Sequence, residues 1–230
     1  MNRADIAALL CESEPFGILG SEQIEFLVDC ARVHQYDKGT VIFEPGEVGD
    51  FLYVVAQGLI RTSLVGPGGN IIEIARSSRP YVFGQLAVLD AGPRAARVEA
   101  LRPTVLVSIA RADVLALVAT YPVALDGLFR AMGYLVRRSA ALAGDLAFKD
   151  AKARVSGRLL QLAGDLNSPD DLTRNKRVTQ TELAEMVGTS RQTVNHLLQE
   201  LEADGAVEVV VDGVRIVSVP ALLAAVNKRD

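Results

Sequence analysis

Residues 178–201, VTQTELAEMVGTSRQTVNHLLQEL, constrain this chain more than any other stretch. Leu183, Ala184 and Val187 fall on one face of a short helix. Gly188 then supplies the left-handed residue that ends it. Thr189 or Ser190 can cap a second helix, and Thr189 with Gln192 fits a capping box. Val194, Leu197, Leu198 and Leu201 give that second helix a buried stripe. Two short helices joined by a glycine-containing turn make a helix-turn-helix of the DNA-binding kind. Its predicted exposed face carries Arg191, Gln192, Asn195, His196 and Gln199, side chains suited to base edges. Thr179, Gln180 and Ser190, at the two helix starts, are counted with this surface. Beyond it, Val207 to Val211, Asp212-Gly213 and Val214 to Val217 read as a β-hairpin, a wing.

The rest of the chain shows three patterns. Residues 1 to about 33 have helical periodicity at Ile6, Leu9 and Leu10, then Ile24, Leu27 and Val28, with a helix start at Ser21. From about 33 to 110, short runs of Val, Ile and Leu alternate with turn residues, as in Val41 to Phe43, Pro45-Gly46, Phe51 to Val55 and Gln57-Gly58. Such spacing predicts an antiparallel barrel or roll. Gly66-Pro67-Gly68-Gly69-Asn70 reads as a hairpin turn, and no Lys-Ser/Thr follows to make it a phosphate loop. Past Tyr121-Pro122, the residues Leu125, Leu128, Met132, Leu135, Ser139, Leu142 and Leu146 recur at alternating spacings of three and four. That strict seam predicts a two-stranded coiled coil and hence a homodimer. A helix is expected over Ala151 to Leu166 and a loop over Asn167 to Lys176. The fold class is α+β, with a β-roll over residues 1–120, a dimerisation helix over 121–148 and a winged helix-turn-helix over 149–230.

Charge limits how such a chain meets DNA. The net charge is -4, and from Lys149 onward 11 Lys and Arg stand against 12 Asp and Glu. Binding must therefore come from a local patch and base contacts, not from bulk charge. Half of the residues are hydrophobic, which excludes a disordered chain. No uninterrupted apolar run reaches membrane-spanning length, and the apolar run from Ile6 to Cys11 is too short for a secretion signal. A cytoplasmic protein without membrane association is expected. Cys11 and Cys30 make no CxxC pair, and His34 and His196 cannot supply a multi-histidine site, so no metal is predicted. No Ser/His/Asp spacing recommends an enzyme.

The helix-turn-helix segment, preceded by a β-roll and a long seam helix, resembles the cAMP receptor protein / fumarate–nitrate regulator superfamily of bacterial transcription factors. The resemblance covers nearly the whole length. It implies a cyclic-nucleotide-binding-like roll, recruitment of RNA polymerase and a surface for it that includes the loop from Asn167 to Lys176. Arg191 matches the family's guanine-reading arginine, Gln192 stands where many members have Glu, and His196 where the enteric protein has a second Arg. The operator is therefore expected to depart from the enteric consensus while keeping two-fold symmetry.

The same resemblance implies a ligand site. The family's phosphate cassette has the form Phe-Gly-Glu followed by Arg-Ser/Thr-Ala. The corresponding residues are Phe83, Gly84, Gln85, Leu86 and Ala87, then Arg94 and Ala95, with Ser139 at the base end. Arg94 is kept to pair with a cyclic phosphate. Gln85 replaces a carboxylate and Ala95 a hydroxyl, and each lost hydrogen bond costs about 1–3 kcal/mol. Weak cAMP binding, binding of another small ligand, and DNA binding without any ligand all fit this cassette. A thiol signal through Cys11 or Cys30 is a further alternative.

Overall fold

The computed structural model describes residues 1–163, 175, 176, 178–211 and 213–227. They divide into two compact units, one of residues 1–65 with 74–139 and one of residues 66–73 with 140 onward.

The first unit opens with helices α1 (Arg3–Cys11) and α2 (Ser21–Cys30). Asn2, not a residue read from the sequence, caps α1 in a reciprocal box with Asp5. Strands β1 (Arg32–Tyr36), β2 (Val41–Phe43), β3 (Phe51–Gln57), β4 (Ile60–Val65), β5 (Ile71–Ser77) and β6 (Tyr81–Phe83) follow, then the short helix α3 (Gln85–Asp90), β7 (Arg97–Ala100), β8 (Thr104–Ala110) and helix α4 (Arg111–Thr120). Two four-stranded sheets result, ordered β1-β8-β3-β6 and β2-β7-β4-β5. The pairs β1–β8, β2–β7, β3–β6, β3–β8 and β4–β7 are antiparallel, with β3 against β8 running Leu52↔Ile109 to Val55↔Leu106.

Why β3 reads as a continuous apolar run is now clear: both of its faces are covered. Leu52 and Val54, with Val107 and Ile109 of β8, pack against Leu9, Leu27 and Leu117 of the helices. The alternate face places Val55 and Leu106 with Phe43, Ile60, Phe83 and Val98 inside the roll, with Tyr53 packed alongside. The turn at Gly66–Asn70 closes on itself through Gly66 N–H to the Asn70 carbonyl, 2.8 Å, as the glycine-rich stretch predicts.

Helix α5 (Val123–Phe148) corrects one reading of the seam. Leu128 is buried in the core of the first unit, and Leu135 lines a cavity there. Leu125 and Leu146 of the seam stay exposed, and Phe129 and Val136, each one position on from Leu128 and Leu135, join them. Phe129 is 69 % and Val136 63 % exposed, on the same stripe as Leu125 and Met132. Spacing could not separate these neighbouring stripes because α5 is apolar on more than one side.

In the second unit, helix α6 (Ala151–Ala163) precedes β9 (Asn175–Lys176), α7 (Gln180–Val187), α8 (Arg191–Ala203), β10 (Val207–Val210), β11 (Gly213–Ile216) and α9 (Val219–Asn227). Leu159, Leu183, Val194, Leu198, Leu201, Val214 and Leu222 form its core. The expected hairpin is the antiparallel pair β10–β11, from Val207↔Ile216 to Val210↔Gly213. Asn175 and Lys176 are strand, not loop, because they pair with the outer edge of β11. The expectations for residues 164–174 and for Asp212 lie outside the described residues.

Candidate functional site

Two sites take shape, one in each unit. In the first, a cavity of about 300 Å³ is lined mainly by apolar side chains. Every residue predicted for ligand binding lines it: Phe83, Gly84, Gln85, Leu86, Ala87, Arg94, Ala95 and Ser139. Gly84 takes a left-handed conformation, φ 79°, that lets β6 turn abruptly into α3.

Arg94 is the charged centre. It is only 5 % exposed, and its guanidinium lies 4.2 Å from the centroid of Phe43 and 5.7 Å from that of Tyr53. Tyr53 and Phe83 stack at 5.3 Å beside it. Its Nη1 donates to the Gly84 carbonyl at 2.9 Å and its Nη2 to the Phe51 carbonyl at 2.7 Å. Those bonds use two of five donors, and the buried Nε has no partner. Burial pushes the Arg94 guanidinium below its usual pKa, while Tyr53, Asp50 and Glu47 pull the other way. A buried cation with an orphaned donor suits an anionic group. Gln85 is nearly as buried, and its amide makes no hydrogen bond to another described residue.

Gly49, which the sequence did not reveal, lets Ala87 and Arg94 seat close against the backbone. A Cβ there would collide with the Ala87 methyl and come within 3.3 Å of the Arg94 guanidinium. At Gly84 a Cβ would meet Arg94 Nη1 at 2.6 Å. Gly84→Ala is expected to cost about 1–2 kcal/mol through its left-handed backbone alone, read as a lower urea midpoint of the first unit. An unchanged midpoint would contradict this account of the turn.

Arg138 was also missed. It shares the cavity with Ser139, donating through Nη2 to the Ile74 carbonyl at 3.1 Å. Beside Arg137 on the seam helix it reads as one more solvated cation, and its partner lies 64 positions away.

The second site is built on α7 and α8. Thr179 caps α7 in a reciprocal box with Glu182, and Gly188, φ 68°, ends it. Ser190, not Thr189, caps α8: its hydroxyl accepts from Thr193 N–H at 3.0 Å, leaving Gln192 outside any box. The cap falls there because α8 starts at Arg191, which places Thr193 as its third residue. All five residues predicted for the recognition face are exposed. Gln180 Nε2 donates to Asn195 Oδ1 at 3.1 Å, tying the start of α7 to that face. His196 Nε2 stands 3.1 Å from Glu200 Oε1, and Lys152 neutralises Glu200 at 3.0 Å. A cleft of about 570 Å³ runs between the helix starts and the hairpin, lined by Thr179, Gln180, Arg191, Val209 and Val211.

Comparison with known proteins matches two domain families along the chain. The cyclic nucleotide-binding domain family matches residues 33–121, and the Crp-like helix-turn-helix domain family matches residues 153–225. The cyclic AMP receptor protein of Thermus thermophilus is 31 % identical over 189 residues, 82 % of this chain and 85 % of that one. The CRP-like cAMP-activated global transcriptional regulator of Mycobacterium tuberculosis is 32 % identical over 174 residues, 74 % of this chain and 77 % of that one.

The chain belongs to the cAMP receptor protein / fumarate–nitrate regulator superfamily.

As a member of that superfamily it is a DNA-binding transcription regulator with a cyclic-nucleotide-binding domain, and its relatives are regulators and not enzymes. The structure of the c-di-GMP responsive regulator CLP of Xanthomonas campestris shares the superfamily fold, with a TM-score of 0.76 at 20 % identity over 86 % of this chain and all of that one. No helix among the described residues is long and apolar enough to cross a membrane.

Proposed function

We propose that this regulator binds DNA as a homodimer at a two-fold symmetric site, with a roll cavity to which cAMP is a poor fit. The exposed apolar stripe of α5 carries the dimer. Phe129 and Val136 together offer more apolar surface than a solvated helix needs, and a two-fold axis would bury each against its own copy. Phe129→Glu is expected to convert a sedimenting dimer to monomer and to weaken operator binding by at least about tenfold. A dimer that survives both Phe129→Glu and Val136→Glu would overturn the role of this stripe.

Thr179, Gln180, Ser190, Arg191, Gln192, Asn195 and His196 form the DNA-reading surface in this proposal. Arg191 reads guanine, and Gln192 and Asn195 favour adenine. The parts correspond to a roll of residues 1–120, a dimerisation helix of 121–148 and a winged domain of 149–230. Contact with RNA polymerase and a cytoplasmic location belong to the same reading, supported by the transcription-regulating relatives.

Poor use of cAMP follows from Gln85 and Ala95, which withdraw a carboxylate acceptor and a hydroxyl donor. Phe83, Gly84, Leu86 and Ala87 shape the cavity, and Arg94 and Ser139 hold its two ends. A ligand acts there only through its differential affinity for the DNA-competent and incompetent states. Saturating cAMP is therefore expected to change operator affinity no more than severalfold in a fluorescence anisotropy titration. A hundredfold change would overturn the reading.

A different small ligand is the second reading, favoured by the apolar lining and the neutral Gln85. Thiol sensing through Cys30 is less favoured, because burial, and then Asp113, push its thiol pKa up.

A further inference from the structure

We infer that Arg138 selects the ligand's base, so that the cavity prefers a cyclic mononucleotide whose purine carries a 6-oxo group, guanine or hypoxanthine, over adenine. This rests on the reading that the roll cavity takes a cyclic mononucleotide. It goes further by naming which one.

Size comes first. The cavity holds about 300 Å³, the low end for ligand pockets, which admits one nucleotide and not a cyclic dinucleotide. Charge comes next. Arg94, nine-tenths buried with an unpartnered Nε, fixes where the phosphate sits. The base must then meet what else lines the cavity, and the polar groups on α5 are Arg138 and Ser139.

A guanidinium has five donors and no acceptor. One Nη2 donor of Arg138 is anchored on the Ile74 carbonyl at 3.1 Å, and Nη1 makes only a long contact of 3.4 Å with the Tyr134 hydroxyl. The group is thus held in place with donors to spare. Guanine presents two acceptors, O6 and N7, on one edge, the arrangement that arginine matches with two parallel hydrogen bonds. Hypoxanthine has the same pair. Adenine keeps N7 but replaces O6 by an amino donor, which would face a cation across a largely apolar wall. The hydroxyls of Ser139, Thr62 and Tyr81, which also line the cavity, both donate and accept, so they do not discriminate. The Ile74 carbonyl, an acceptor at this end, is already engaged by Arg138. Base choice therefore falls to Arg138. The neutral Gln85, in place of a carboxylate, leaves the sugar end without a competing negative charge.

The test is isothermal titration calorimetry on the full-length chain with guanosine, inosine and adenosine 3′,5′-cyclic monophosphates, repeated on Arg138→Gln. The guanosine and inosine compounds are expected to bind at least about tenfold tighter than the adenosine compound, the cost of one unpaired donor. Arg138→Gln, whose amide both donates and accepts, is expected to bring the three within about threefold of one another. Equal or tighter binding of the adenosine compound overturns the inference and leaves the cyclic-nucleotide reading standing. Absence of binding by all three overturns both. A preference for guanosine not shared by inosine places the selectivity on the 2-amino group, which overturns the role of O6. Those three outcomes are read on the unsubstituted protein, so the inference stays exposed even if Arg138→Gln does not fold. If the variant folds and keeps the preference, Arg138 is not its source.

Discussion

Replacing Arg191 by alanine is expected to lower affinity for the operator by about 30-fold to 10⁴-fold. Each arginine–guanine pair is worth about 1–3 kcal/mol, and a two-fold symmetric complex contains the pair twice. Arg191 is the first residue of α8, exposed, and on the wall of the cleft between the helix starts and the wing. Binding to unrelated DNA should fall far less, because that term depends on phosphate neutralisation. The check is anisotropy at one fixed salt concentration with specific and unrelated duplexes. Parallel losses on both duplexes would show that Arg191 meets phosphate. No loss on either would move the reading surface off α8.

Leu198→Ala should be the most damaging substitution to stability, at about 2–5 kcal/mol. Leu198 has no exposed surface and packs among Val194, Leu201 and Val214 in the core of the second unit. Against a domain stability of about 5–15 kcal/mol, that loss leaves a large unfolded fraction. Leu198→Met keeps the volume and should cost under about 1.5 kcal/mol. Urea unfolding followed by circular dichroism separates the two. Equal losses for alanine and methionine would mean that packing volume is not what holds α8 in place.

The helix-turn-helix was legible because period, cap and glycine agree within 24 consecutive residues. The stop at Gly188, the buried stripe of α8 and its exposed polar face all follow from local physics. The exact cap was less legible, since Thr189 and Ser190 are both competent and only the start of α8 decides between them. The roll was legible as short strands, but not the reason for their two-sided hydrophobicity. Covering β3 on both faces brings in helices distant in sequence. The α5 stripe shows the limit of periodicity. Leu128 and Phe129 lie on adjacent stripes, and only the packed core shows that Leu128 is the one turned inward.

The ligand cavity was the hardest to read. Arg94 stands out only through its resemblance to a cassette. Its aromatic bed, Phe43 and Tyr53, comes from two separate strands. Gly49 and Arg138 act through neighbours 38 to 64 positions away, at Ala87 and Ile74, where no local pattern records them.

The most direct measurement is selection of binding sites from a random DNA library by the purified protein, followed by footprinting of the winning sequences. The account predicts an inverted repeat with half-sites about one helical turn, roughly 34 Å, apart, and no enrichment by Arg191→Ala. Enrichment of a single unpaired half-site, or an inverted repeat recovered equally well by Arg191→Ala, would contradict it.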